Sequence, residues 1–166
     1  MKIEICPAAA EEKEILWRLL QLYLYDFSEF DAADPDETGC FPYGYFERYW
    51  DEPERFPFFI RVEGRRAGLV LVRQFETSER GKVTNLAEFF VMKKYRRLGV
   101  GRSAAFQLFD RFPGAWQVEQ IEANTPAQAF WRKVIAEYSD GAYKETCADN
   151  FGWFGPRQIF VSQPSL

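Results

Sequence analysis

Residues 85–112 read NLAEFFVMKKYRRLGVGRSAAFQLFDRF, a strand, a basic loop and a glycine-opened helix in direct succession. Residues 86–92 are apolar except for Glu88 and rich in Phe and Val, which suits a buried strand. Lys93, Lys94, Arg96 and Arg97 follow at once, and Gly99 and Gly101 then flank Val100. Val100, Ala104, Leu108 and Phe112 recur every fourth residue, giving a helix one apolar face. Pro113-Gly114 ends it. The start of such a helix is an anion site. Its first N–H groups lack intrahelical partners, the helix dipole is positive there, and glycine lets a ligand approach the backbone. Arg96, Arg97 and Arg102 add charge, so a phosphate or pyrophosphate is the natural occupant.

Three phosphate-binding patterns compete for this stretch. The Walker sequence, with Lys-Ser/Thr after its second glycine, is absent. The dinucleotide fingerprint is formally met by Gly99, Gly101 and Ala104, with Glu122 downstream. However, six residues separate Met92 from Gly99 where a tight turn is wanted, and too little chain follows for a six-stranded doubly wound sheet. The third pattern, Arg/Gln-x-x-Gly-x-Gly/Ala after an apolar strand, is met by Arg96, Gly99 and Gly101 behind FFV.

On these residues the sequence resembles the GNAT superfamily of acyl-CoA N-acyltransferases, and FFVMKKYRRLGVG is locally similar to diamine acetyltransferases. A second family motif lies one strand downstream. In NTPAQAFW, Asn124, Ala127 and Phe130 fit Asn, Ala three on and a large apolar residue six on. The resemblance implies an α/β (α+β) GNAT fold over residues 1–166 as one domain. Its central sheet would be mixed, mostly antiparallel and of six to seven strands, with about four flanking helices. It implies acetyl transfer from acetyl-CoA to a primary amine by direct attack in a ternary complex, with a non-catalytic acetyl-CoA-binding module as the alternative.

The same resemblance assigns cofactor-binding residues. Backbone groups of Phe89, Phe90 and Val91 would pair with the pantetheine arm and polarise the thioester carbonyl. Arg96, Arg97, Leu98, Gly99, Val100, Gly101, Arg102 and Ser103 would hold the pyrophosphate, with Asn124, Phe130 and Trp131 beside the donor. The family's usual Tyr seven positions after the Asn, proposed there to protonate the thiolate, is Trp131 here, and an indole N–H is no useful acid. Tyr138, Tyr143 and water are the candidates that remain. Glu88 is the candidate base, because burial raises a carboxylate's pKa toward a useful range. The competing reading of Glu88 is a strand residue with its carboxylate at the solvent edge.

The rest of the chain is consistent with a globular enzyme. Apolar residues make up 47% and aromatics 18%, and the net charge of −4 argues against general nucleic-acid binding. The absence of histidine excludes Ser-His-Asp and Cys-His catalysis and His-ligated metal. Cys6, Cys40 and Cys147 are odd in number and dispersed, which points to reduced thiols in a cytoplasmic protein without a metal site. Neither a signal peptide nor a membrane span is expected. The family commonly dimerises, and the sequence neither requires nor forbids a homodimer.

In order, residues 2–6 predict a strand and Pro7 a helix start, with Leu16, Leu19, Leu20 and Tyr23 forming an apolar face that ends near Tyr25. Residues 26–37 hold six carboxylates and no base; they read as a solvated loop or as an acidic rim in which Asp26, Glu29 and Asp31 gather a cationic acceptor. By family analogy, this connection lines the acceptor site. Residues 39–45 suggest a turn and residues 45–52 a short helix broken by Pro53 and Pro57. Strands follow at residues 58–62 and 67–73, joined at Glu63-Gly64-Arg65, and residues 74–82 read as a polar loop. The apolar phase breaks near Gln120, and Asn124-Thr125-Pro126 opens another helix. Residues 142–146 and 157–162 predict the last two strands. Between them the loop at residues 149–155 would place Trp153 near the acceptor by family analogy.

Overall fold

Segments rich in Val, Ile, Leu and Phe pair into one seven-stranded sheet in the computed structural model, which describes residues 1–150 and 153–164, with residues 150 and 153 as backbone alone. The strands are β1 (Ile3–Pro7), β2 (Arg55–Val62), β3 (Arg65–Thr77), β4 (Gly81–Val91), β5 (Gly114–Glu119), β6 (Tyr143–Asn150) and β7 (Trp153–Ser162). Their order across the sheet is β1-β2-β3-β4-β5-β7-β6. Neighbours are antiparallel except β4 and β5, which are parallel and therefore need a crossover. The helix α3 (Val100–Arg111) supplies it; the other helices are α1 (Lys13–Asp31), α2 (Arg48–Asp51) and α4 (Thr125–Tyr138). This is the expected mixed, mostly antiparallel sheet with four helices.

Each face of the sheet buries its own apolar layer. Val100, Ala104, Leu108 and Phe109 of α3 and Trp131, Val134 and Ile135 of α4 pack with Val70, Leu86 and Trp116 on one face. Leu16 and Leu20 of α1, with Phe46 and Tyr49, pack with Phe59, Leu69, Leu71 and Phe90 on the other. The β2–β3 turn works because Glu63 and Gly64 have φ of 48° and 73°, the paired left-handed geometry of a tight hairpin.

Several boundaries differ from the sequence reading. Pro7 closes β1, and the first helix begins at Lys13 after a short 3-10 turn. That helix runs on to Asp31, six residues past Tyr25, because Asp26 finds cationic partners in Lys93 and Arg96 and Phe27 packs on Tyr23, and Ala32 closes it in the left-handed conformation (φ 56°). Pro57 lies inside β2, and the polar loop contracts to a turn at residues 78–80 because β3 and β4 pair as far as Thr77 and Gly81. Strands β6 and β7 likewise consume most of the expected loop at residues 149–155; Phe151 and Gly152, and the side chain of Trp153, lie outside the described residues.

Two irregularities open the sheet at its centre. Leu71 pairs with Glu88 while Val72 pairs with Leu86, so Ala87 is an extra residue in β4. Strand side chains alternate faces, so this insertion moves Glu88 off the face of Leu86. Leu86 stays in the layer under α3 and α4, whereas Glu88 and Phe90 face α1 and α2. Meanwhile the β4–β5 pairing stops at Leu86 with Val118. Past Glu119 the chain leaves the sheet but stays tied to β7, through Gln120 N–H to Pro156 O at 3.1 Å and Glu122 N–H to Phe154 O at 2.9 Å. Gly155 permits that approach, since a Cβ there would stand 1.9 Å from Gln120 O. The strands therefore part beyond Leu86; β5 pairs with β7 in unbroken register and ends at Glu119, so the change of apolar phase near Gln120 marks the end of the strand and not a register break within it.

Candidate active site

The gap between β4 and the chain after β5 holds two adjoining chambers. Both are bordered by Tyr23, Phe27, Phe89, Asn124, Ala127 and Trp131. The larger, of about 580 Å³, extends to Asp26, Glu29, Phe90, Val91, Lys93, Arg96, Arg97, Gly101 and Phe130. The smaller, of about 370 Å³, extends to Asp31, Tyr43, Leu86, Glu88, Glu119, Gln120 and Ile121. One chamber ends on the basic loop, the other on carboxylates.

The basic end is built as an anion cradle. Arg97 and Gly99 both adopt left-handed φ, 61° and 78°, which turns the loop sharply into α3. No side chain caps that helix, and its first N–H to find a carbonyl is that of Ser103, to Gly99 O at 3.0 Å. The N–H groups of Val100, Gly101 and Arg102 thus stay available to a ligand. The two glycines have separate roles. Gly99 supplies the backbone angle, and Gly101 lets α3 close on α4, where a Cβ would lie 3.0 Å from the Phe130 ring. Phe89 stacks with Phe130 and meets Trp131 edge-on at 4.9 Å between ring centroids.

The arginines read as the charge of this loop are largely committed elsewhere. Arg102 forks onto Glu137 of α4 at 3.0 and 2.9 Å. Arg96 donates through Nε to Val91 O at 2.7 Å and through its guanidinium to Asp26 Oδ2 at 2.5 Å. Lys93 adds a second bond to Asp26 at 3.3 Å. Burial works against ionisation of Asp26, but these two cations outweigh it and hold the carboxyl below its ordinary pKa. Arg97 has no carboxylate partner among the described residues. Val100 is buried and can contribute backbone only, whereas the side chain of Leu98 is exposed.

The acidic rim is correspondingly smaller than residues 26–37 suggested. Asp26 and Glu29 border the larger chamber, Asp26 as a latch between α1 and the basic loop. Asp36 is spent on a local turn, accepting from Thr38 N–H at 2.8 Å and from Cys40 N–H at 3.2 Å. Only Asp31 of the expected set of Asp26, Glu29 and Asp31 reaches the smaller chamber. Glu119, an unforeseen member, joins it there while paired with Arg157.

Glu88 lies on a central strand, half-buried at the wall of the smaller chamber. Its Oε1 accepts from Tyr43 Oη at 3.0 Å, and the Tyr23 phenol lies beside the same carboxylate. Burial pushes its pKa up to about 7; the two phenols and Arg73 only partly offset it. Tyr23 and Tyr43 border the smaller chamber beside Glu88 and were not singled out by the sequence reading. Tyr23 counted as one member of an apolar stripe, although a buried phenol needs a polar partner. Tyr138 is a correction. Two helical turns beyond Trp131, it borders neither chamber. Its hydroxyl donates to Asp110 at 2.7 Å and lies 3.1 Å from Ser162 Oγ, with its ring packed on Phe106, Phe109 and Phe160. It fastens α4 to α3 and β7. Asn124 accepts from Ala127 N–H at 3.1 Å and so fixes the start of α4 at the chamber wall.

The sequence matches the family model described as "Acetyltransferase (GNAT) family" over residues 16–135. No curated protein gives a match. Among solved structures, an acetyltransferase from Thermus thermophilus is similar with a TM-score of 0.68 at 12% identity, covering 97% of each chain. An aminoglycoside acetyltransferase in complex with coenzyme A gives a TM-score of 0.66 at 12% identity over 96% of this chain and 95% of that one. A ribosomal-protein alanine N-acetyltransferase from Escherichia coli gives 0.60 at 13% identity over 99% and 96%. At these identities the likeness establishes the fold alone.

Proposed function

The chain belongs to the acetyltransferase (GNAT) family, and from that premise we propose that it moves the acetyl group of acetyl-CoA onto the amine of a small cationic acceptor. The whole of residues 1–166 is read as one acetyltransferase domain working in the cytoplasm, without metal and without a requirement for nucleic acid or membrane. The observation that carries this is the split between β4 and β5, flanked by an anion cradle on one side and a carboxylate poised near neutrality on the other.

In this reading the larger chamber takes the donor. Amides from Arg97 to Arg102, with the Arg97 guanidinium, hold the pyrophosphate at the start of α3. The edge of β4 from Phe89 to Val91, unpaired with β5, receives the pantetheine arm and polarises the thioester carbonyl. Phe130 and Trp131 wall the arm. The smaller chamber takes the acceptor, where Asp31 and Glu119 attract its charge. Glu88 removes the proton from the ammonium or attacking amine, directly or through water. Its raised pKa suits a base that works around neutrality.

A panel of amines tests this reading: spermidine, 1,4-diaminobutane, an aminoglycoside, free lysine and an N-terminal peptide, each with acetyl-CoA and thiol detection. The expected outcome is amine-dependent release of CoA, strongest with a multiply charged small amine. Acetyl-CoA binding without amine-dependent release would leave an acyl-CoA-binding module instead.

A further inference from the structure

We propose that Tyr23 delivers the proton to the departing CoA thiolate, working as a pair with Glu88 where the two chambers meet. This rests on the acetyl-transfer reading above. The place on α4 where a phenol would be expected holds Trp131, which is buried against Phe89 and Phe130. Tyr138 is committed to Asp110 and Ser162 outside the cleft. Tyr143 packs against the α3–α4 layer and borders neither chamber. Tyr43 borders only the acceptor chamber. Tyr23 alone among these phenols borders both chambers, the junction that the thioester must cross in this reading. Its phenol also lies beside the Glu88 carboxylate, close enough for each to shift the other's ionisation.

The chemistry closes within this pair. The acceptor nitrogen bonds to the thioester carbonyl carbon, and its proton passes to the Glu88 carboxylate. The C–S bond breaks, with its electron pair remaining on sulfur. The Tyr23 O–H proton goes to that sulfur, and the Glu88 proton then refills the phenolate. The products are amide and CoA thiol, with both side chains restored and no other reactant consumed.

The resting charge state fits this order of events. Burial, followed by the negative charge of Glu88, holds the Tyr23 proton tightly, with Asp31 adding to it from the same helix. Once Glu88 carries the amine's proton, that repulsion is gone, and the phenol becomes a better acid at the moment the thiolate forms. The other ionisable groups around the pair are Tyr43 from the α1–α2 connection, Tyr49 of α2 and Arg73 of β3.

The test uses acetyl-CoA with the best amine of the panel and records kcat against pH. Tyr23→Phe is expected to lower kcat by about 100-fold while the KM for acetyl-CoA stays within about threefold. Tyr23→3,5-difluorotyrosine keeps the ring and makes the phenol more acidic; a new alkaline fall in kcat is expected. Should Tyr23→Phe fail to fold, the fluorinated variant alone decides. Retention of kcat within about threefold by a folded Tyr23→Phe overturns the proposal. A fluorinated profile that superimposes on the parent also overturns it. Thiol release with none of the amines would overturn the acetyl-transfer reading itself, and this proposal with it.

Discussion

A single extra residue, Ala87, turns Glu88 out of the apolar layer beneath α3 and α4 and toward the phenols of Tyr23 and Tyr43. The carboxylate is then buried enough for its pKa to rise from an ordinary 4.5 to about 7, yet it borders the smaller chamber. Two consequences follow from that value. A base must be unprotonated, so kcat/KM should fall as pH drops through about 7. Glu88→Gln should remove that acidic limb and lower kcat by about 100-fold or more. Burial of the charge also penalises the folded state. The penalty is absent below the unfolded pKa of 4.5, grows as pH rises toward 7 and is constant above. Thermal melts of folded Glu88→Gln and the parent should therefore agree near pH 4 and diverge by pH 8, with the variant the more stable. A parent acidic limb that survives Glu88→Gln removes this residue from the mechanism.

The latch between α1 and the basic loop belongs to the scale of elements. Because α1 runs on to Asp31, Asp26 comes within reach of Arg96 and Lys93, seventy and sixty-seven residues away in sequence. An incoming pyrophosphate must compete with that carboxylate for the same cations. Asp26→Asn should tighten CoA binding by up to about fivefold at low salt, in proportion to a partly exposed ion pair, and the gain should shrink as salt is added. Titration calorimetry of both proteins at two salt concentrations measures this, and weaker binding by Asp26→Asn would show that Asp26 supports the cradle. Such contacts explain which parts of the fold were legible in the sequence. The strand at residues 86–92, the glycine loop and the Asn124 cap announce themselves through local rules of periodicity, backbone angle and capping. The length of α1, the role of Tyr23 and the exclusion of Tyr138 depend on partners far along the chain. Tyr138 and Trp131 share the stripe of α4, yet one faces Asp110 and the other the cleft.

At the scale of the molecule, the sheet does two things at once. Packed layers cover both of its faces, and in one of them Trp116 is wholly buried between Phe109 and Phe160 with its indole N–H bonded to Phe112 O at 2.7 Å. The one parallel pair is also the place where the sheet parts, so the split is set between fixed walls and needs no mobile segment to create it. Binding at such a preformed cleft stabilises the native state by mass action, by about 2.7 kcal/mol when ligand stands at about 100 times its dissociation constant. The most direct test of the central claim is therefore thermal unfolding with and without saturating acetyl-CoA, with ATP and NAD as controls. Acetyl-CoA should raise the unfolding midpoint by roughly 5–10 °C, and neither control should reproduce that rise. No rise, or an equal one with ATP, would contradict the assignment of the cleft to an acyl-CoA donor.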